Sequence, residues 1–220
     1  MNVFALLINR TVVAALAMAT AWKTAFLARS YKAVKLFKTN AIIGPTTTLA
    51  GLVEADFDGY VPVAVSALNG PNLDSLNNAY VNTNAAEFQC TGNTTPNQIY
   101  SAGLVGTLAG GTAATATVTT TGGVISAPVI TLAGGPYQAP PQISVAGGGT
   151  GAKVVATIDG DGAVDTVTVV DGGSGYTAAT LVFEPPVELI GGQTIPAAQP
   201  MMVSTDALAV VLQQNIPAGA

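Results

Sequence analysis

A chain of 220 residues is long enough to bury a core as one or two domains, and at 49% apolar it is too hydrophobic for a disordered chain. Only 9% of the residues are charged, so the surface is expected to be largely covered by other subunits. Histidine is absent, which removes Ser-His-Asp and Cys-His catalysis, most zinc sites and the usual proton shuttle.

The few charges are divided along the chain. Six of the seven basic residues (Arg10, Lys23, Arg29, Lys32, Lys35, Lys38) fall within the first 38 positions, whereas all twelve acids lie between Glu54 and Asp206. A basic head of this kind is expected to complement an acidic surface on its own or a neighbouring chain. Direct nucleic-acid binding is not expected, because so few charges with little aromatic interleaving make a weak footprint.

Residues 3–37 read as one helix. Phe4, Leu7, Ile8, Val12, Ala15, Leu16 and Ala19 keep helical spacing, and Trp22, Phe26, Leu27, Tyr31, Val34 and Leu36 continue it. The run after Arg10 imitates a secretory signal, but apolar residues precede the arginine and the basic residues follow the run. It is also too short to span a bilayer, so neither export nor a membrane role is expected. Residues 1–38 are therefore read as a basic, apolar helical arm lying on a partner through Arg10, Trp22, Lys23, Phe26, Arg29, Lys32 and Lys35. A chain lacking this arm is expected to stay folded and to lose its partner.

The prediction ends the helix between Asn40 and Pro45. Turns follow at Asn69-Gly70-Pro71-Asn72 and Gly92-Asn93, with short strands at Tyr80-Val81 and at residues 87–90. Strands at residues 181–183, 187–195 and 201–203 and a last one at 207–213 complete a β-domain made of residues 39–104 plus 181–220. Residues 105–180 form a module in which the stretch from Gly110 to Tyr176 is written twice. Thr112 and Thr150, Val129 and Val167, and Gly134 and Gly172 are each 38 apart, and Tyr137 and Tyr176 are 39 apart, which marks a repeated supersecondary unit. Each copy reads as strand, tight turn, strand, glycine turn and short return, with Gly-Gly and Asp-Gly pairs at the hairpins. Such strands bury little apolar area, so neighbouring copies or chains are expected to supply the missing contacts. The fold class is mainly β: a small antiparallel sandwich or barrel-like domain, an inserted two-copy β-repeat module and an N-terminal helical arm.

A search for chemistry finds none to assign. Cys90 is the single cysteine and reads as a buried structural thiol. Asp56 and Asp58 are the nearest carboxylate pair, but Asp-Gly-Tyr makes a turn. Asp159, Asp161 and Asp165 carry part of a calcium loop without its terminal glutamate, a pattern that a hairpin turn also explains. The run Gly147-Gly148-Gly149-Thr150-Gly151 lacks the Gly-Lys-Ser/Thr of a phosphate loop. Tyr137 and Tyr176 close the repeats; each is expected to pack over the preceding glycines rather than bind sugar, and they are the residues there that would meet a partner. No cofactor and no enzymatic activity are expected.

The span Val34-Lys35-Leu36-Phe37-Lys38-Thr39-Asn40 is followed by a threonine-rich stretch and then by Leu49-Ala50-Gly51-Leu52-Val53-Glu54-Ala55-Asp56-Phe57-Asp58-Gly59-Tyr60. This order resembles the opening of a family of small tailed-phage virion proteins. Phe183, Pro200-Met201-Met202 and Asp206-x-Leu208-x-Val210 are similar to that family's last strands. The Gly172-Gly173-Ser174-Gly175-Tyr176 segment resembles modules of phage structural and fibre proteins. Together the resemblances cover most of residues 34–212, with the helical head and the inserted repeats as departures. They imply a capsid decoration or cement protein, a homotrimer bound to the major capsid protein or other virion subunits and assembled in the bacterial cytoplasm. The alternative they leave open is a tail-fibre or tail-tip protein that meets a receptor.

Overall fold

In a computed structural model the backbone is described for residues 3–44, 46–76 and 78–216, and side chains from residue 12 onward. The protein is mainly β, with one N-terminal helix and several small antiparallel sheets. It divides into two compact units, Met1–Gly106 with Leu189–Ala220, and Thr107–Glu188.

The first unit opens with α1 (Val3–Leu27), followed by β1 (Lys32–Phe37), β2 (Val63–Ala64), β3 (Leu68–Leu73), β4 (Ala79–Thr83), β5 (Ala86–Gln89) and β6 (Asn97–Thr107). The second unit contributes β7 (Thr115–Thr121), β8 (Val124–Leu132), β9 (Ile143–Ala146), β10 (Thr150–Ile158), β11 (Val164–Ser174) and β12 (Thr180–Phe183). The chain then returns through β13 (Val187–Met201), β14 (Ala207–Val210) and β15 (Gln213–Ile216).

The helix is shorter than its periodicity suggests. It stops at Leu27, where the Lys32 Nζ donates to the carbonyls of Leu27 (3.1 Å) and Arg29 (2.6 Å) and so satisfies the helix end without a glycine cap. Residues 32–37 are instead a strand between β6 and β2 in the sheet β13-β6-β1-β2, with Ala33 through Phe37 all buried. The independent arm is corrected accordingly. The buried face of α1 carries Ala15 and Ala19 against Ala79 and Ile216 of its own chain, over β3, β4 and β15. Phe26 enters the main core with Val34, Leu36, Phe57, Phe88, Ile99 and Leu104. Residues 1–38 include a strand that lies between two others of this sheet, so a chain lacking them is expected to lose the fold of the first unit rather than keep it. The β-domain also regains the chain at Leu189 rather than 181, because residues 180–183 pair with β9 inside the second unit.

Candidate interaction surface

Most residues expected to meet a partner are used inside the chain. The Arg10 side chain lies outside the described residues. Trp22 is half-buried and stacks on Phe26, with ring centroids 5.5 Å apart and planes 3° from parallel. Lys23 donates its ammonium to the Gly70 carbonyl at 2.7 Å. Arg29 runs its aliphatic stem past Gly106. Lys35 is only 3% exposed, so its role as a partner contact is corrected: it is paired with the Glu54 carboxylate at 2.8 Å. The other Glu54 oxygen accepts from the Tyr60 hydroxyl at 2.9 Å, and that hydroxyl accepts the Leu36 N–H. Burying a lysine is tolerable here because its charge and hydrogen bonds are matched in place. Phe26 is likewise core and offers nothing to a partner.

The remaining polar candidates are turn chemistry. Asp159 Oδ1 accepts the N–H groups of Asp161 and Ala163, which closes the β10–β11 hairpin. Asp161 and Asp165 are exposed, and no group of three or more metal-ligating side chains assembles among the described residues. Asp56 binds Lys38 and Asn97, and Asp58 binds Thr94, whose hydroxyl is the main cause holding the Asp58 carboxyl below its usual range. Cys90 is buried, with its thiol directed at the Gly92 carbonyl. A half-open pocket of about 310 Å³ is lined by Ile43, Thr47, the start of β13 and Gln213, Gln214 and Asn215 of β15, with no charged residue among its lining.

Tyr137 and Tyr176 are both buried, 5% exposed each, so their assignment as partner contacts is also corrected. The reason is the way the two repeats close on each other. Tyr137 N–H donates to the Gly162 carbonyl at 2.7 Å, and Tyr176 N–H donates to the Gly123 carbonyl at 3.0 Å. Gly123 and Gly162 are the hairpin-turn glycines, 39 apart like the tyrosines, with φ of 83° and 79° that a side chain would strain. Each repeat therefore ends on the turn of the other. β8 packs along β11, β7 against β12 and β9 against β10, while β9 and β12 pair antiparallel. In that ladder Ile143 faces Phe183 and Val145 faces Leu181, and moving each position by the 38-residue period exchanges the two pairs. The repeats form a closed pseudo-two-fold pair that supplies its own missing contacts.

What remains open is the outer surface of the hairpins. On the first, exposed Thr115, Thr117, Thr119 and Thr121 lie opposite exposed Leu132, Val129, Ser126 and Val124. The equivalent surface of the second carries the cross-strand pairs Lys153–Asp171, Val155–Thr168 and Thr157–Thr166. Sequence reasoning passed over the first surface, although a signal was there: Thr115 to Thr121 alternates strictly, and no charged residue stands between Glu87 and Lys153. Compared with known proteins, the chain matches no family model, no curated protein and no solved structure.

Proposed function

We propose that this chain is a non-enzymatic structural component of a tailed-phage virion, a capsid decoration or cement protein that works through contacts between subunits. The observation that carries the reading is an exterior with several large exposed apolar side chains and few charges, around an interior in which the residues that looked like partner contacts are already engaged. Val61 is 68% exposed, Val129 59% and Val182 53%, on a chain whose buried lysine, tyrosines and glycine turns are already engaged within it. Covering such area among many copies contributes about 25 cal/mol per Å², with no site chemistry required. The resemblance of residues 34–60 and 183–210 to small virion proteins supports the same reading.

A receptor-contacting tail protein would use outward aromatic residues on its repeats, and the burial of Tyr137 and Tyr176 withholds them. Quantitative mass spectrometry of virions carrying this chain, scaled to the major capsid protein, tests the proposal. Copy numbers in the hundreds are expected for a shell protein. About a dozen copies would place it at the tail or portal vertex, as symmetric assembly there dictates, and would overturn the cement reading. Its absence from purified particles would overturn both.

A further inference from the structure

The two hairpins of the second unit are one backbone written twice, and the contrast between their outer faces is informative. At the pair Lys153–Asp171 of the second copy, the first copy has Thr115–Leu132, and at Val155–Thr168 it has Thr117–Val129; the second turn holds one more residue, so Val129 matches Thr168 and not Val167, the position 38 further on. Charges on an exposed two-stranded sheet are the usual protection against edge and face association. The second copy has that protection, and the first has none. From this we infer that the outer face of the β7–β8 hairpin is a self-association surface, occupied by the same face of a second copy of this chain.

The occupant follows from electrostatics and symmetry. In an isologous contact every group near the axis meets its own kind, so any unpaired charge on the face meets a like charge. The first face brings none, with Val129 and Leu132 59% and 48% exposed as the apolar area to be covered. The second face would bring Lys153 and Asp171 into that position and lose their hydration. A two-stranded face is smaller than the roughly 800 Å² per partner of a standard interface, so the contact is weak alone and gains strength when copies are arrayed. This inference deepens the structural-protein reading by naming the face through which copies touch, and it is tested without a virion.

Sedimentation velocity of the full chain, from micromolar to millimolar concentration, is expected to show a reversible rise in mass with concentration. Thr117→Glu with Val129→Glu is expected to weaken that association by about tenfold or more, as does Thr117→Lys with Val129→Lys, by placing like charges face to face. Mixing the two variants restores association, because opposite charges then meet. Val155→Glu with Thr168→Glu, at the equivalent positions of the second hairpin, leaves it unchanged, and unaltered thermal unfolding of each variant confirms its fold. Three outcomes would overturn the inference: a wild-type mass independent of concentration, equal loss from the second-hairpin variant, or no recovery on mixing. A low copy number in virions would leave this result untouched, so the two readings fail separately.

Discussion

Tyr137 and Tyr176 sit at equivalent positions and do different jobs. The Tyr137 hydroxyl accepts the Ala114 N–H at 2.8 Å and donates to the Glu184 carbonyl at 3.1 Å, and burial pushes it above its usual pKa. Among the described residues the Tyr176 hydroxyl makes no such pair, while its ring covers Gly149 and Gly173. Tyr137→Phe strands a buried donor and acceptor and is expected to cost about 1–3 kcal/mol, whereas Tyr176→Phe stays within about 0.5 kcal/mol. Urea unfolding of the two variants measures the difference. Partly exposed carboxylates are expected to set the acid limb. The Met202 N–H, and then that of Val203, hold the Asp206 carboxyl below its ordinary value, and Asp58 and Asp74 are lowered by Thr94 and Asn78. A depressed native pKa gives stability that is complete above the unfolded value near about 3.9 and is lost as pH falls through the native one. With no histidine in the chain, the urea midpoint is expected to match at about pH 5.5 and 7.5 and to fall below about pH 4. Asp206→Asn narrows the gap between the neutral and acid midpoints.

Among the elements, β1 was the least legible and matters most to the first unit. Its sequence Lys-Ala-Val-Lys-Leu-Phe has no alternation because both faces are covered, and an intact helical pattern runs into it from α1. The signal that ends α1 is the reach of Lys32 back to two carbonyls, a tertiary arrangement with no glycine or proline to announce it. Lys35 misled for the same reason, since a lysine in a basic stretch reads as surface until Glu54 and Tyr60 are found beside it. The repeats were legible because positive-φ turns restrict the residue choice to glycine, and the repeat survives in Gly123 and Gly162, in Gly134 and Gly173, and in the tyrosines. Their closure was not, because nothing local says that a strand packs on the other copy. Removing residues 1–38 is expected to abolish cooperative unfolding of the first unit, seen as loss of a sigmoidal thermal transition by circular dichroism. Leu36→Ala, fully buried in the same strand, is expected to cost about 2–5 kcal/mol in urea.

At the scale of the molecule, the second unit makes its ladders from its own strands, and its two cores gather around Tyr137 with Phe183 and around Ile125 with Tyr176. A fragment of residues 107–188 is therefore expected to unfold cooperatively by itself, and Gly162→Ala, which drives a side chain into the Tyr137 backbone at positive φ, is expected to lower its midpoint. A non-cooperative melt of the parent fragment would show that closure depends on the rest of the chain. The two strands that border this unit, β6 and β13, are neighbours in one sheet, and neighbouring strands are about 4.8 Å apart. Entry and exit of the whole insert are thus a hairpin's width from each other. A body built in this way accepts a cassette: another insert with adjacent ends can be grafted at Gly106 and Leu189 while the strands on either side keep their register.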